Sequence, residues 1–309
     1  MTSHPVRIAA AGAVALAALA GAAVPANADS IVYEKGGNIW IAAPNGSRQV
    51  RITSGGGYER PSQANDGTIV ALRKVRTAGR SVPPRQLVRL DRRGRLRSRP
   101  FFPFDPAATF FSGPFDARVS PDGRRVALMY SYVGPSLTPG FHVTVTDATR
   151  RTPKEKYGDL AGYINPFWVN SGTLGLFEPD RAADVQTDPL AGSALSDWIQ
   201  DSDVDLGGGE LDASGTRFAG AGTRAGGGKA ILRLYSQPAR PPAAPQARCD
   251  IEGARSYFRP TWSPTGRALA WQEADGIHVG RYSLATCRGS EKLVIRGGHA
   301  PDWAAAAHR

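Results

Sequence analysis

The sequence predicts an all-β protein: a six-bladed β-propeller of four-stranded antiparallel blades, with the ring closed by the C-terminal strand joining the N-terminal blade. Three observations lead to this prediction. They are a repeat of blade size, a tight turn within each repeat, and two chain ends that complete one another. The turn glycines are separated by 43 to 56 residues, which is the period of a propeller blade. They are Gly67, Gly123, Gly172, Gly215 and Gly266.

Each repeat consists of an apolar strand, a glycine-closed turn and a second apolar strand. The clearest copy is 257–266, followed by the apolar segment 268–271, and another copy, 117–123, ends in Ser-Pro-Asp-Gly. Proline presets φ, aspartate bonds nearby backbone and glycine accepts a positive φ, so these turns predict hairpins. Further strands follow most hairpins, which gives four strands per unit. The stretch 178–207 is expected to lack clear strands.

The two ends of the chain are predicted to share one blade. The segment 31–53 contains three strand-like stretches but no innermost strand. Near the C-terminus, Ala300-Pro301-Asp302-Trp303 matches the inner-strand pattern of 260–262 and then stops. These residues therefore supply the missing inner strand, and closure through a shared blade removes exposed sheet edges. We expect the propeller to span 29–303, with 304–309 as a C-terminal tail.

Several of these motifs resemble the repeats of TolB-like propellers. They are Pro-x-Trp-Ser-Pro-x-Gly at 260–266, Ser-Pro-Asp-Gly at 120–123, and Asn-Ile-Trp-Ile at 38–41 followed by Arg-Ile-Thr at 51–53. The resemblance covers nearly the whole chain after residue 28 and implies an exported bacterial propeller. TolB itself is a periplasmic adaptor in envelope integrity, so the resemblance also implies protein binding. The motifs are specific for the fold and carry little functional information.

The first 28 residues are typical of a secretory signal peptide. Arg7 supplies a positive start, 8–24 is an uncharged apolar run, and Ala26-Asn27-Ala28 fits the cleavage pattern. The alternative is a membrane anchor, but Ala and Gly dominate the run, so it should partition weakly into lipid. We expect cleavage after Ala28 and a secreted or extracytoplasmic protein, in the periplasm or cell-envelope space, with no transmembrane segment after cleavage.

The charge is strongly basic and unevenly distributed. The formal net charge is +11, and the stretch 73–99 is rich in arginine with Asp91 as its only acid. The stretch 178–212 is acidic, with Arg181 as its only base. A basic and an acidic side could steer an anionic partner, such as an envelope polymer. The alternative is a solvated surface that reflects the arginine-rich codon bias of a GC-rich genome.

The two cysteines, Cys249 and Cys287, are predicted to form a disulfide bond. An even pair in an exported protein usually bridges. Their spacing matches neither a zinc motif nor a CxxC redox motif. The bridge would close a loop of about 39 residues.

Catalytic motifs are not found, and no cofactor is expected, with Ca²⁺ as the one candidate. There is no G-x-S-x-G, H-E-x-x-H or GK[ST] sequence. The alternating acids Asp201, Asp203 and Asp205 precede a glycine run. Such acids can present several oxygens to Ca²⁺, which takes about 6–8 oxygen ligands. The alternative is an acidic loop leading into a strand, and the EF-hand pattern is not matched.

Three tyrosines recur at one position of the repeat. Tyr58, Tyr163 and Tyr257 each lie nine residues before a turn glycine and three before a proline. Repeat symmetry should place them on one face, at the entrance of the inner strands, with Trp168, Trp262 and Trp303 just below. They are candidates for a binding surface at the mouth of the propeller. The alternative is packing between blades.

The residues favour a binding protein over an enzyme. The leading hypothesis is an exported, monomeric, non-catalytic propeller scaffold that binds a protein, a peptide or a cell-envelope polymer. The alternative is a secreted propeller enzyme, a lyase or a glycan-active hydrolase, with its site at the central channel and acids such as Asp203 and Asp205 lining it. Nucleic acid is not expected as a partner outside the cell.

Overall fold

The computed structural model shows six antiparallel β-sheets arranged as a ring around a central axis. It describes residues 29–76, 83–103, 111–133, 139–148, 157–179, 182–252 and 258–307. The strands form six successive blades, which are numbered here from the N-terminus. The predicted fold class, a six-bladed propeller of antiparallel blades, is therefore confirmed.

The strands of each blade are consecutive in the chain, except in blade 1, whose inner strand comes from the C-terminal part of the sequence. Blade 1 contains β1 (Ser30–Lys35), β2 (Asn38–Ala42) and β3 (Val50–Arg51), with β23 (His299–Ala304) innermost. Blade 2 contains β4 (Tyr58–Gln63), β5 (Ile69–Lys74) and β6 (Arg85–Leu90). Blade 3 contains β7 (Phe111–Val119), β8 (Arg125–Val133), β9 (Pro139–Asp147) and β10 (Tyr157–Ala161).

The remaining blades follow the same order, from the inner strand to the outer one. Blade 4 contains β11 (Ile164–Asn170), β12 (Thr173–Phe177), β13 (Ala182–Thr187) and β14 (Leu195–Gln200). Blade 5 contains β15 (Val204–Leu211), β16 (Arg217–Arg224), β17 (Ala230–Ser236) and β18 (Gln246–Glu252). Blade 6 contains β19 (Phe258–Trp262), β20 (Leu269–Glu273), β21 (Gly276–Tyr282) and β22 (Gly289–Arg296).

The ring closes through the predicted pairing of the two chain ends. Strand β23 pairs antiparallel with β1, so that Ile31 lies opposite Trp303 and Val32 lies opposite Asp302. The segment 300–303 is therefore the inner strand of blade 1, as the sequence predicted. The first blade is the only one among the described sheets that combines strands from distant parts of the chain.

The expectation that 178–207 lacks clear strands is wrong. This stretch contains β13, β14 and the first residues of β15. Strand β13 carries five consecutive buried residues, so it shows neither the alternation nor the apolar run of an ordinary strand. One of the five is Asp184, which accepts a hydrogen bond from the hydroxyl of Tyr163 at 2.7 Å. Because one of its buried residues is a carboxylate, β13 has no recognisable strand pattern in the sequence.

Blade 2 has three strands, and isolated bridges occupy its fourth position. Phe101 bridges to Leu87, and Leu96 bridges to Leu90. Phe101 lies between Pro100 and the nearby Pro103. Because proline has no N–H to donate, a longer ladder is not formed here.

The hydrophobic core is divided among the six interfaces between neighbouring blades. Both faces of each sheet are covered, so β1 sends Ile31 and Tyr33 towards blade 6 and Val32 towards blade 2. The interface between blades 4 and 5 is aromatic. The ring centroids of Phe167, Trp198 and Phe218 lie 4.9 to 5.8 Å apart. This packing between neighbouring blades holds each inner strand in place beside the axis.

The turns that follow the inner strands use glycine where the backbone is left-handed. The φ angle is +74° at Gly215 and +65° at Gly266, and Gly67 and Gly123 are similar. A side chain at Gly266 would also lie 2.6 Å from Oδ2 of Asp212, in the neighbouring blade's turn. Gly172 does not have a positive φ. Its turn is instead closed by the side chain of Asn170, which accepts the Gly172 N–H at 2.7 Å.

The two charged stretches of the sequence lie on different sides of the ring. The described part of the basic stretch 73–99 belongs to blade 2, and the acidic stretch 178–212 belongs to blades 4 and 5. Blades 2 and 5 are opposite one another in a ring of six. Part of the basic charge is paired locally, since Glu59 contacts Lys74 at 2.7 Å and also Arg85. Membrane-spanning helices were sought among the described residues, and none was found.

Candidate functional site

The inner strands of the six blades surround a cavity of about 460 Å³ on the propeller axis. It lies at the end of the channel where the inner strands run into their turns. Its wall therefore combines strand residues, such as Gln63 and Val119, with turn residues, such as Pro121 and Pro264. A concave site of this size on the axis is large enough for a small ligand or a side chain of a partner.

Each inner strand contributes one equivalent residue near the axis, and five of the six line this cavity. We call this set the axial ring: Ser62, Arg118, Phe167, Glu210, Thr261 and Asp302. Four of the six link one blade to the next by accepting a backbone N–H. The bonds are Gln63 N to Asp302 Oδ2 at 3.0 Å, Val119 N to Ser62 Oγ at 3.1 Å, Trp262 N to Glu210 Oε1 at 3.0 Å, and Trp303 N to Thr261 Oγ1 at 3.0 Å. Arg118 offers no acceptor and Phe167 packs into the aromatic core, so the pattern is interrupted in blades 3 and 4.

Three tryptophans follow the axial ring and form part of the cavity wall. They are Trp168, Trp262 and Trp303, each no more than 8% exposed. The indole of Trp168 donates to the carbonyl of Arg118 at 2.9 Å, and that of Trp262 donates to the carbonyl of Glu210 at 3.1 Å. The same bond is thus made in two blades, and it fixes the ring planes around the cavity.

The floor of the cavity is charged. Arg118 Nη1 lies 3.6 Å from Asp302 Oδ2. Burial, reinforced by the charge of Asp302, raises the pKa of Glu210 to about 8. Glu210 therefore holds its proton to a higher pH than an ordinary glutamate, and its carboxyl oxygen accepts hydrogen bonds from Thr261 and Trp262. Perturbed carboxyl groups of this kind are common at functional sites.

Beyond the floor, an ion pair crosses the axis. Arg259 Nη2, from blade 6, lies 2.8 Å from Asp116 Oδ1, from blade 3. These blades face one another across the ring, so the pair spans the channel. Burial opposes the ionisation of Asp116, but Arg259 and Arg118 more than offset it and hold the pKa of this carboxyl below its usual value.

A bulge in the inner strands accompanies these positions. The pairing register shifts in β4, β11 and β19 around Arg60, Asn165 and Arg259, whose φ angles are +52°, +44° and +50°. A left-handed backbone is uncommon at such residues, and strain of this kind concentrates at functional sites. Each of the three precedes a proline. That recurring residue–proline pair is the sequence signal that marks these bulges.

Two of the candidate tyrosines, Tyr58 and Tyr163, lie at the opposite ends of their inner strands from the cavity. The guanidinium of Arg73 lies 5.2 Å from the centre of the Tyr58 ring. The Tyr163 hydroxyl donates to Asp184, and both tyrosines pack against interblade core clusters. Tyr257 lies outside the described residues. A binding role for the three tyrosines stays a prediction, whereas the tryptophans expected below them do line the cavity.

The candidate calcium ligands are on the entry to β15. Asp201 accepts hydrogen bonds from Arg233 Nη1 at 2.9 Å and from the Tyr235 hydroxyl at 2.6 Å. Burial disfavours the charge on Asp201, but these donors outweigh it and lower the pKa of Asp201. The carboxylates of Asp201, Asp203 and Asp205 do not come together within 4.8 Å of one another. Calcium binding stays a prediction, and neither Asp203 nor Asp205 lines the cavity.

The predicted disulfide bond between Cys249 and Cys287 is present. Cys249 lies in β18 of blade 5, and Cys287 lies in the turn between β21 and β22 of blade 6. Their Cα atoms are 5.3 Å apart. The disulfide bond therefore links two neighbouring blades at their outer edge, far from the axis.

One group of potential metal ligands lies among the described residues. Glu273, Asp275 and His278 have ligand atoms within 4.8 Å of one another. The two ring nitrogens of His278 face different carboxylates, with Nε2 at 2.8 Å from Asp275 and Nδ1 at 3.9 Å from Glu273. Since one ion can bind only one of these nitrogens, the arrangement suits a hydrogen-bonded histidine between two acids.

No protein-family model matches the sequence, and no curated protein matches it at a significant level. Solved structures do match. TolB from Acinetobacter baumannii has a TM-score of 0.60 at 15% identity, over 89% of this chain and 66% of that one. This chain thus spans just under two thirds of that protein's length. A putative TolB from Agrobacterium tumefaciens has a TM-score of 0.55 at 14% identity, over 88% and 91% of the two chains.

Two further matches come from other functional settings. A chain of a nidogen/laminin complex has a TM-score of 0.60 at 13% identity, over 89% of this chain and 98% of that one. An oligogalacturonate lyase in complex with manganese has a TM-score of 0.54 at 11% identity, over 84% and 70%. At these identities the similarity shows the fold alone. The fold is that of the TolB-like six-bladed propellers, as the repeat motifs implied.

Proposed function

We propose that this protein is an exported, non-catalytic propeller scaffold that binds a protein, a peptide or a cell-envelope polymer at its axial cavity. The observation that carries the proposal is the cavity of about 460 Å³, walled by three tryptophans and set among the turns of the six blades. Aromatic walls with a few fixed polar groups are typical of binding sites. The histidines of the described residues do not line it, and no nucleophile–base pair is formed there.

Export is supported by two independent features. Residues 1–28 have the three regions of a signal peptide in the right order. The Cys249–Cys287 disulfide is of a kind that persists in oxidising compartments. The solved TolB structures share the fold, and the nidogen/laminin structure contains a similar propeller in a protein complex.

The test is a pull-down from the envelope and secreted fractions of the source cells with tagged protein. Ala213 lines the cavity and is exposed, so A213W should fill the mouth without touching the core. Ala244 is an exposed alanine of the same blade that does not line the cavity, so A244W is the matched control. Retention lost in A213W and kept in A244W supports the proposal. Equal retention by both variants would refute the cavity as the binding site.

A second candidate function is a lyase or glycan-active hydrolase with its site in the same cavity. The observation that favours it is Glu210, a buried acid whose pKa is raised to about 8 beside Asp302 and Arg118. Such a group can donate a proton at neutral pH. Incubation with oligogalacturonides and other acidic glycans tests this candidate. Turnover that is lost in E210Q supports an enzyme, and stable substrates with a stoichiometric partner in the pull-down support the scaffold.

A further inference from the structure

The buried polar atoms that lack a partner around the axis are all hydrogen-bond donors. Arg118 Nε and Gln63 Nε2 belong to residues of the cavity wall, and Arg259 Nε and Nη1 lie beyond the floor. The side chains of Arg118 and Arg259 are only 9% and 4% exposed, and Gln63 is 5% exposed. Arg118 Nε is 3.7 Å from Asp116, which is too far for a hydrogen bond.

Unpaired acceptors in the described part of the chain lie elsewhere. They belong to the side chains of Gln186, Ser193, Gln237 and His278, none of which lines the cavity. A buried N–H without a partner is costly, because it has lost water and gained nothing in return. A set that contains donors only is complementary to a ligand that contributes acceptors only, and an ionised carboxylate is such a group.

The charges around the axis agree with this reading. Arg118 and Arg259 both act on Asp116 and Asp302, and Arg60 also acts on Asp116. Burial and the charge of Asp302 raise the pKa of Glu210 to about 8, so this carboxyl holds its proton more tightly than an ordinary glutamate. An anionic ligand in the cavity would meet the guanidinium of Arg118, whereas the neighbouring Asp302 opposes a second negative charge on the ligand.

We propose that the axial cavity binds a carboxylate group of its ligand, which Arg118 and Gln63 hold through their unpaired N–H donors. The proposal deepens the proposed function and rests on its premise that the cavity is the binding site. The carboxylate can come from a free organic acid, a uronic-acid sugar, an acidic side chain or a chain terminus. The shared chemistry is a monoanionic, planar acceptor that a guanidinium and an amide can recognise.

The same geometry makes binding depend on pH. Glu210 is faced by Arg118 of β7, by Asp302 of β23, and by the Thr261 hydroxyl and Trp262 N–H of β19. A carboxylate bound beside it adds another negative charge, so Glu210 must keep its proton for the ligand to stay. Affinity should therefore fall as the pH rises above about 8, by at most about tenfold per pH unit.

The tryptophans of the protein offer a direct readout without any substitution. Six indole N–H signals are expected in a proton–nitrogen correlation spectrum, one for each tryptophan. Trp168, Trp262 and Trp303 line the cavity, and Trp40, Trp198 and Trp271 do not. Titration with glucuronate and with acetate should move the first three signals and leave the other three in place. Glucose, the uncharged match of glucuronate, and inorganic phosphate are the comparison probes.

Each outcome decides the proposal. Saturable shifts of the cavity indoles with both carboxylates, and much weaker ones with glucose and phosphate, support it. No saturable shift, equal shifts with glucose, or tighter binding of phosphate would overturn it. If the pull-down with A213W succeeds while carboxylates fail, the cavity remains the binding site but its ligand is of another class.

Two variants then test the named residues. Q63E keeps the acceptor that the Ser30 hydroxyl uses but replaces the unpaired N–H with a carboxylate oxygen, so carboxylate affinity should fall about tenfold or more. The matched control is Q272E, whose Oε1 accepts the Ala300 N–H outside the cavity, and its affinity should not change. E210Q should lose the decline in carboxylate affinity above pH 8, because its amide has no proton to release. An unchanged decline in E210Q would refute the proton linkage.

Discussion

Thr261 and Trp303 are joined across the seam at which the ring closes. The Thr261 hydroxyl accepts the backbone N–H of Trp303 at 3.0 Å and donates to Glu210 at 3.1 Å. One hydroxyl thus connects the inner strands of blades 5, 6 and 1. It is fully buried, so none of these bonds can be replaced by water without rearrangement.

Replacing this hydroxyl should weaken the closure. T261V keeps the shape of the side chain but leaves the Trp303 N–H without an acceptor, which should cost about 1–3 kcal/mol of unfolding free energy. T261S retains the hydroxyl and should cost less than about 1.5 kcal/mol. Urea unfolding followed by tryptophan fluorescence measures both. Equal losses in the two variants would show that the methyl group, and not the hydrogen bond, is what matters.

The ion pair across the axis should be sensitive to loss of one partner. R259M removes the arginine nearest to Asp116 and leaves this buried carboxylate without its closest partner, which should cost about 3–5 kcal/mol. The double variant R259M/D116L removes both charges and should be less destabilised than the sum of the single variants. A double-mutant cycle from urea unfolding gives the coupling energy, and a value near zero would contradict the structural pairing.

Stability should depend on pH through Glu210. Its pKa is about 8 in the folded protein and about 4.5 as an ordinary glutamate. The stabilisation by its proton is therefore complete below about pH 4.5 and is lost as the pH rises towards 8. E210Q has no proton to lose, so its stability relative to the native protein should increase across that window and then level off. Urea midpoints at about pH 5, 7 and 9 measure this, with the exposed E252Q as control.

Removing the disulfide should lower the stability without altering the cavity. The bond joins residues 38 positions apart, and the chain-entropy account gives about 3–4 kcal/mol for a loop of this size. C249S/C287S should therefore unfold at a lower urea concentration. The cavity indole signals should stay at their native positions, because the bond lies at the outer edge of blades 5 and 6. Displaced indole signals in the folded variant would mean that the disulfide bond also affects the structure of the axial cavity.

The fold was largely predictable because its determinants are local and repeated. Turn glycines such as Gly123 and Gly266 mark the hairpins, and the match between 260–262 and 301–303 marks the closing strand. Blade 4 was harder to predict. Its strand β13 buries a carboxylate, Asp184, whose partner Tyr163 is 21 residues away, so no local pattern marks the strand.

The charged axis could not be predicted in the same way. Periodicity indicates which residues form strands, but not which side chains meet where six strands converge. Asp116 and Arg259 are 143 residues apart, and Glu210 is hidden in an acidic stretch and in a degenerate repeat. Its pKa depends on burial and on Asp302, which is 92 positions away. Aligning the repeats would have revealed the axial positions, but not the sign or strength of their coupling.

The pairing of β23 with β1 has a consequence for how the protein is made. The strand that completes the first blade, β23, follows all the other described strands in the chain. Before β23 is in place, β1 lacks its inner partner strand, and the core between blades 6 and 1 lacks Trp303. The ring cannot close before β23 pairs with β1, so the interface between blades 6 and 1 is the last of the six that can be completed.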